Sequence, residues 1–105
     1  MEGNVGVNLS GKVLAITGGF GALGQAVART MAGYGARLAL LDHAPAPPTL
    51  QPPGTLLYGG IDLAQEEIAN SIMERIVREA GRLDGLVNIA GGFRWEKLEL
   101  GALDS

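Results

Sequence analysis

Cysteine is absent from the 105 residues, which excludes disulfide stapling, thiolate metal sites and cysteine nucleophiles. Histidine occurs once, as His43, and no further ligand types are grouped around it, so no metal site is expected. No apolar run approaches the ~20 residues that a bilayer-spanning helix needs. Met1 to Gly11 has neither the cationic lead-in nor the apolar core of a secretory signal. The chain therefore reads as soluble and cytoplasmic, with no membrane partner. Positive charge is also scarce: eight Lys and Arg against eleven Asp and Glu leave a net charge of −3 and no basic stripe to neutralise a phosphate backbone. Nucleic acid is not an expected partner. With 47% hydrophobic and 18% charged residues, what remains is the balance of one small globular domain covering residues 1–105.

Glycine, by contrast, is abundant, at seventeen residues, and its placement is informative. Thr17-Gly18-Gly19-Phe20-Gly21-Ala22-Leu23-Gly24 follows the apolar run Lys12 to Thr17 and opens an amphipathic stretch, about Ala22 to Ala32, with Leu23, Ala26, Val27 and Met31 on one face. That is a strand, a glycine turn and a helix. Arg37 to Leu41 reads as a second strand ending in Asp42, and the spacing completes a βαβ unit with parallel strands. All five prolines fall between residues 43 and 54, in a connection that has no helical periodicity.

Thr55 to Gly60 suggests a third strand. Asp62 and Gln65 form a possible capping box for a helix from about Leu63 to Ala80, whose stripe is Ile68, Ile72, Ile76 and Ala80 with Met73 and Val77 beside it. Leu83 to Ile89 suggests a fourth strand, and Phe93 to Ser105 shows no decisive pattern beyond one incipient helical turn. The rhythm predicts an α/β fold, part of a doubly wound Rossmann sheet of order 3-2-1-4 that is truncated after the fourth strand.

The glycine turn fits two registers. Gly19, Gly21 and Gly24 satisfy GxGxxG; Thr17, Gly18, Gly21 and Gly24 satisfy TGxxGxxG. Either lets the backbone approach a pyrophosphate, whose charge meets the N–H groups at the start of the next helix. Asp42 stands where a carboxylate accepts the hydroxyls of an adenosine ribose and repels a 2′-phosphate, which favours NAD over NADP. S-adenosylmethionine carries the same ribose, so a methyltransferase reading stays open on these residues.

Taken in order, the Thr17-Gly18 turn, Asp42, Asp62-Leu63 and Leu86-Val87-Asn88-Ile89-Ala90-Gly91 resemble the short-chain dehydrogenase/reductase family from Leu9 onward. The resemblance implies a cofactor contact from the Phe20 to Leu23 backbone to the pyrophosphate. It also implies that Asp62 and Leu63 lie at the adenine, and that Asn88, Ala90 and Gly91 line the ribose and central region. Two positions depart from the common pattern: Ala22 replaces the middle glycine of TGxxxGxG, and Ile89 replaces the second asparagine of NNAG.

The family's serine and Tyr-x-x-x-Lys pair, which perform its proton transfer, would come after the fourth strand. Tyr34 is followed four residues later by Leu38, and Tyr58 by Asp62, so no catalytic residue is assigned. The chain is expected to be the NAD-binding portion of such an oxidoreductase, truncated and inactive alone. A bare outer edge on the fourth strand would favour a homo-oligomer. The alternative expectation is a non-catalytic interaction module that associates through this edge.

Overall fold

The computed structural model describes residues 8–45, 51–89 and 95–97. Strand β1 (Val13–Thr17) is an unbroken apolar run ending in threonine, and all five residues are buried. Such a strand needs cover on both faces, which a parallel sheet provides. Val13 and Ala15 turn to one face, Leu14 and Ile16 to the other. Parallel partners flank it: β2 (Arg37–Leu41) pairs Val13 with Arg37 through Thr17 with Leu41, and β4 (Gly85–Asn88) pairs Leu14 with Gly85 through Thr17 with Asn88. The short β3 (Leu56–Tyr58) adds to β2 in parallel. The expected 3-2-1-4 order is therefore present.

A fifth strand lies beyond it. β5 (Trp95–Lys97) runs antiparallel to β4, with Val87 opposite Trp95, so the sheet order is β3-β2-β1-β4-β5. This corrects the expected bare edge on the fourth strand, and at residues 95–97 the expectation of a patternless segment. Three residues carry too little periodicity to announce a strand; only the unpaired N–H and C=O groups of β4 recruit them. Association of copies through β4 would require displacing β5.

Helix α1 (Ala22–Gly33) joins β1 to β2 and covers the Leu14–Ile16 face. Its buried residues are Gly24 and Ala28, with Val27 and Met31 half-buried; Leu23 is 55% exposed. The expected face is thus rotated. The small side of the helix meets the turn, and the close approach that Gly24 permits swings Leu23 and Ala26 outward.

Helix α2 (Glu66–Ala80) covers the opposite face, burying Ile72 and Ile76 against Val13, Ala15, Ala39 and Leu41. Glu66 and Glu67 in its first turn and Arg78 in its last complement the helix dipole. Gly81 ends it in the left-handed conformation, φ 90°, its N–H on the Val77 carbonyl. The N-cap is Gln65, which corrects the expected start at Leu63 and the cap at Asp62. Asp62 instead closes a turn ahead of the helix, accepting the Ala64 N–H at 3.0 Å and the Gln65 amide at 3.1 Å. An aspartate that bonds backbone two residues on competes with helix formation there.

Two polar clusters pin the sheet. Asp84 accepts the Val13 N–H at 2.8 Å while Arg82 grips both its oxygens, and Asp84 N–H returns a bond to the Val13 carbonyl. The Arg82 guanidinium, followed by the Val13 N–H, holds the Asp84 carboxyl below the usual carboxylate range. Its contribution is complete above ordinary aspartate pKa and lost as pH falls through the lower folded value. Asp84→Ala is expected to lower unfolding free energy by about 1–2 kcal/mol in urea melts at pH 7.

On β3, buried Tyr58 donates its hydroxyl to Glu79, and Arg75 lies 5.2 Å from the ring centroid while pairing with Glu79 at 3.0 Å. Burial, followed by the Glu79 carboxylate, pushes the phenol from 10.0 up to about 12. A raised folded pKa means stability is full below the unfolded value and declines as pH climbs from 10.0 towards about 12. The expected loss is up to about 2–3 kcal/mol. Urea melts between pH 9 and pH 12 (roughly spanning both values) check it, with Tyr58→Phe flattening the decline.

Candidate cofactor site

The C-terminal ends of β1, β2 and β3 converge where the glycine turn leaves the sheet. Gly18 has φ +69°, a left-handed conformation that glycine adopts without penalty. Gly19 is pressed on β2: a Cβ there would stand 2.9 Å from Leu40 Cβ. At Gly24 a Cβ would lie 2.2 Å from the Gly18 carbonyl oxygen and 2.7 Å from Gly19 Cα, so the helix reaches the turn only without a side chain.

Gly21 is different. The nearest atom to a Cβ there is the Gly18 oxygen at 3.8 Å, an ordinary contact, and its φ is −79°. Packing explains Gly24 and Gly19, and backbone shape explains Gly18; neither applies at Gly21. Gly21 is also the N-cap of α1 and provides no side-chain cap, and the first turn carries no acidic residue. The helix start thus keeps its positive dipole end and first N–H groups, among them those of Ala22, Leu23 and Gly24, for an external acceptor.

Asp42 follows β2 directly. One carboxylate oxygen accepts the Phe20 N–H at 3.0 Å and the other the Ala44 N–H at 3.0 Å. An ionised carboxylate has about four acceptor positions, so two bonds leave capacity for a ligand. Asp42, Gly18, His43, Ile61, Asp62 and Leu63 line a cleft of ≈ 310 Å³. His43 is exposed and borders this cleft. Gln65 first and the Ala64 N–H second hold the Asp62 carboxyl below its ordinary range, so it stays ionised at neutral pH.

Thr17 and Asn88 stand side by side across β1 and β4, the Thr17 hydroxyl donating to Asn88 Oδ1 at 2.8 Å. This bond ties β1 to β4. Ile89 packs against the core under α1, as does the half-buried Phe20. Ala90 and Gly91 lie outside the described residues.

Two site-adjacent residues escaped the sequence reading. Gln25 reaches back from α1 to donate to the Gly19 carbonyl at 2.7 Å, and Gln51, from the proline-rich connection, donates to Gln25 Oε1 at 3.0 Å. A glutamine in a helix has no distinguishing spacing, so nothing in the sequence signals this pair. Among the described residues no cluster of three His, Asp or Glu is placed to hold a metal ion, and no helix is long and apolar enough to cross a membrane.

Comparison with known proteins agrees with this geometry. The family model for short chain dehydrogenase matches residues 12–102. General stress protein 39 of Bacillus subtilis is 41% identical over 91 residues, covering 79% of this chain and 32% of its own length. The 2,3-dihydro-2,3-dihydroxybenzoate dehydrogenase of the same organism is 36% identical over 92 residues, covering 82% and 35%. Among solved structures, 3-ketoacyl-(acyl-carrier-protein) reductase from Brucella melitensis, complexed with NADH, superposes with TM-score 0.65 at 25% identity over 76% of this chain and 34% of its own. The NADPH-dependent 3-quinuclidinone reductase from Rhodotorula rubra does so with TM-score 0.65 at 28% identity, over 76% and 33%. The chain spans about a third of the length of these curated relatives. Family match, sheet order and the ordered Thr17, Asp42, Asp62 and Asn88 positions agree that this chain belongs to the short-chain dehydrogenase/reductase family of oxidoreductases.

Proposed function

We propose that the chain forms the adenosine and pyrophosphate side of an NAD site in a short-chain dehydrogenase/reductase-type oxidoreductase. The observation that carries the reading is the Asp42 carboxylate in the cleft, fixed by two backbone N–H groups and retaining acceptor capacity. In this reading Asp42 takes the ribose hydroxyls and disfavours a 2′-phosphate. Ile61 and Leu63 supply apolar walls for adenine, and Asp62 accepts from its amino group. Asn88, with Ala90 and Gly91, lines the ribose and central region.

The pyrophosphate falls to the N–H groups of Ala22, Leu23 and Gly24 at the start of α1, with Thr17, Gly18, Phe20 and Gly21 shaping the turn, because the Phe20 N–H expected at the phosphates is taken by Asp42 and the Gly21 N–H by the Gly18 carbonyl. The uncrowded Gly21 fits this approach, since the contact a Cβ would make there, 3.8 Å to the Gly18 oxygen, is no clash that would account for a missing side chain. NAD, when bound, supplies the hydride-accepting ring. The protein residues described bind and orient; none of the 105 residues forms a Tyr-x-x-x-Lys pair. Binding without dehydrogenase turnover is the expected behaviour of this chain alone.

Calorimetric titration with NAD, NADP and S-adenosylmethionine tests the reading. NAD is expected to bind more tightly than both others. A stronger signal from S-adenosylmethionine, or none from NAD, would overturn it. The alternative, an interaction module associating through β4, would require β5 to leave that edge.

A further inference from the structure

We infer that Gln25 is a positioning residue that locks the Gly19–Phe20 peptide of the phosphate turn, and that Gln51 sets its orientation from the proline-rich connection. The inference rests on the NAD reading above only for its ligand consequence. The N–H and C=O of a trans peptide point in opposite directions. Here both ends of one peptide are held by side chains: the Phe20 N–H donates to Asp42 at 3.0 Å, and the Gly19 carbonyl accepts from Gln25 Nε2 at 2.7 Å. The preceding peptide is held as well, Gly19 N–H donating to the Leu41 carbonyl at 3.0 Å.

A flip of the Gly19–Phe20 plane would break both bonds and turn the carbonyl dipole towards the Asp42 carboxylate. Gln25 opposes this flip from the side of the peptide away from Asp42. Its backbone N–H makes the first helical bond of α1, to Gly21 O at 2.9 Å, so its side chain springs from a fixed point. Gln51 donates to Gln25 Oε1, which directs the Gln25 amide nitrogen to the Gly19 carbonyl. The chain Gln51, Gln25, Gly19–Phe20, Asp42 therefore joins the proline-rich connection to the ribose carboxylate through one peptide of the turn.

For an anionic ligand the orientation matters, because a carbonyl swung to the ligand side of the turn repels a phosphate. Adenosine meets this step only through Asp42, which the Ala44 N–H still holds, and presents no phosphate to the carbonyl. The lock should therefore affect a dinucleotide more than a nucleoside.

Two measurements on the chain with Gln25→Met test the lock, the variant keeping side-chain length and helix propensity while removing the amide. Amide hydrogen exchange requires no ligand: Phe20 is expected to exchange about tenfold faster than in the unmodified chain, with the Gly19 amide unchanged. Calorimetry is expected to show NAD affinity reduced by roughly five- to tenfold and adenosine affinity within about twofold. Gln51→Ala, which leaves α1 intact, is expected to move both readouts in the same direction by less. An unchanged Phe20 amide in both variants overturns the lock. Equal losses for NAD and adenosine overturn its phosphate-specific consequence. If the unmodified chain binds neither compound, the NAD reading fails, while the exchange result still decides the lock.

Discussion

Gly24→Ala is expected to remove about 3 kcal/mol of folding free energy, a large share of the roughly 5–15 kcal/mol that holds a domain of this size together. The added methyl carbon would sit 2.2 Å from the Gly18 carbonyl oxygen and 2.7 Å from Gly19 Cα, both backbone atoms of a turn that is tied to β2. No rotamer relieves a Cβ. Either α1 lifts from the turn, exposing Leu14, Ile16 and Ala28, or the turn is pushed off Leu40 and Leu41. Thermal melts by circular dichroism read the loss. A midpoint within about 3 °C of the unmodified chain would contradict the packing role. Gly21→Ala is the informative control: its methyl meets only an ordinary contact, so stability should fall by no more than about 1 kcal/mol, the cost of alanine at an N-cap. In the proposed site NAD affinity should nevertheless fall by about tenfold, because that methyl would stand where the backbone approaches the pyrophosphate.

Asp42→Ala is expected to weaken NAD binding at least about tenfold and to erase discrimination against NADP, since hydrogen bonds to a charged group contribute about 1.5–3 kcal/mol. In the proposed site the carboxylate has two duties, and alanine removes both. Losing the Phe20 and Ala44 N–H bonds loosens the turn and costs stability of about 1–2 kcal/mol; losing the ribose acceptor acts on the ligand alone. Asp42→Asn retains an oxygen acceptor without the charge. It should recover much of the stability, accept NADP and still bind NAD less tightly than aspartate does. NAD affinity unchanged in Asp42→Ala would exclude Asp42 from the ribose contact.

The Arg37–Leu41 strand was legible residue for residue, because a continuous apolar run bounded by Gly35 and Asp42 admits few other readings. So was the stripe of α2, where Ile72 and Ile76 recur at helical spacing and are buried. The face of α1 was not legible. Leu23 looks like a core residue by hydrophobicity, yet the seam follows Gly24 and Ala28, because backbone proximity at the turn outranks the burial of a larger side chain. Asp62 illustrates a different limit: its capping signature is correct in kind, but the bonds it makes close a turn before α2.

The order of strand, glycine turn, helix and acid is set by short stretches of sequence, because hydrophobic periodicity, glycine and a strand-end carboxylate act over a few residues. That local grammar determined the parallel 3-2-1-4 sheet and the family. Tertiary structure alone decided that β5 closes the β4 edge, that Asp42 grips the Phe20 N–H, and that Gln25 and Gln51 meet over the turn. Each of these joins groups brought together only by the fold: an unpaired strand edge takes whatever backbone the chain delivers, and a hydrogen bond depends on distances of a few tenths of an ångström that no spacing rule encodes.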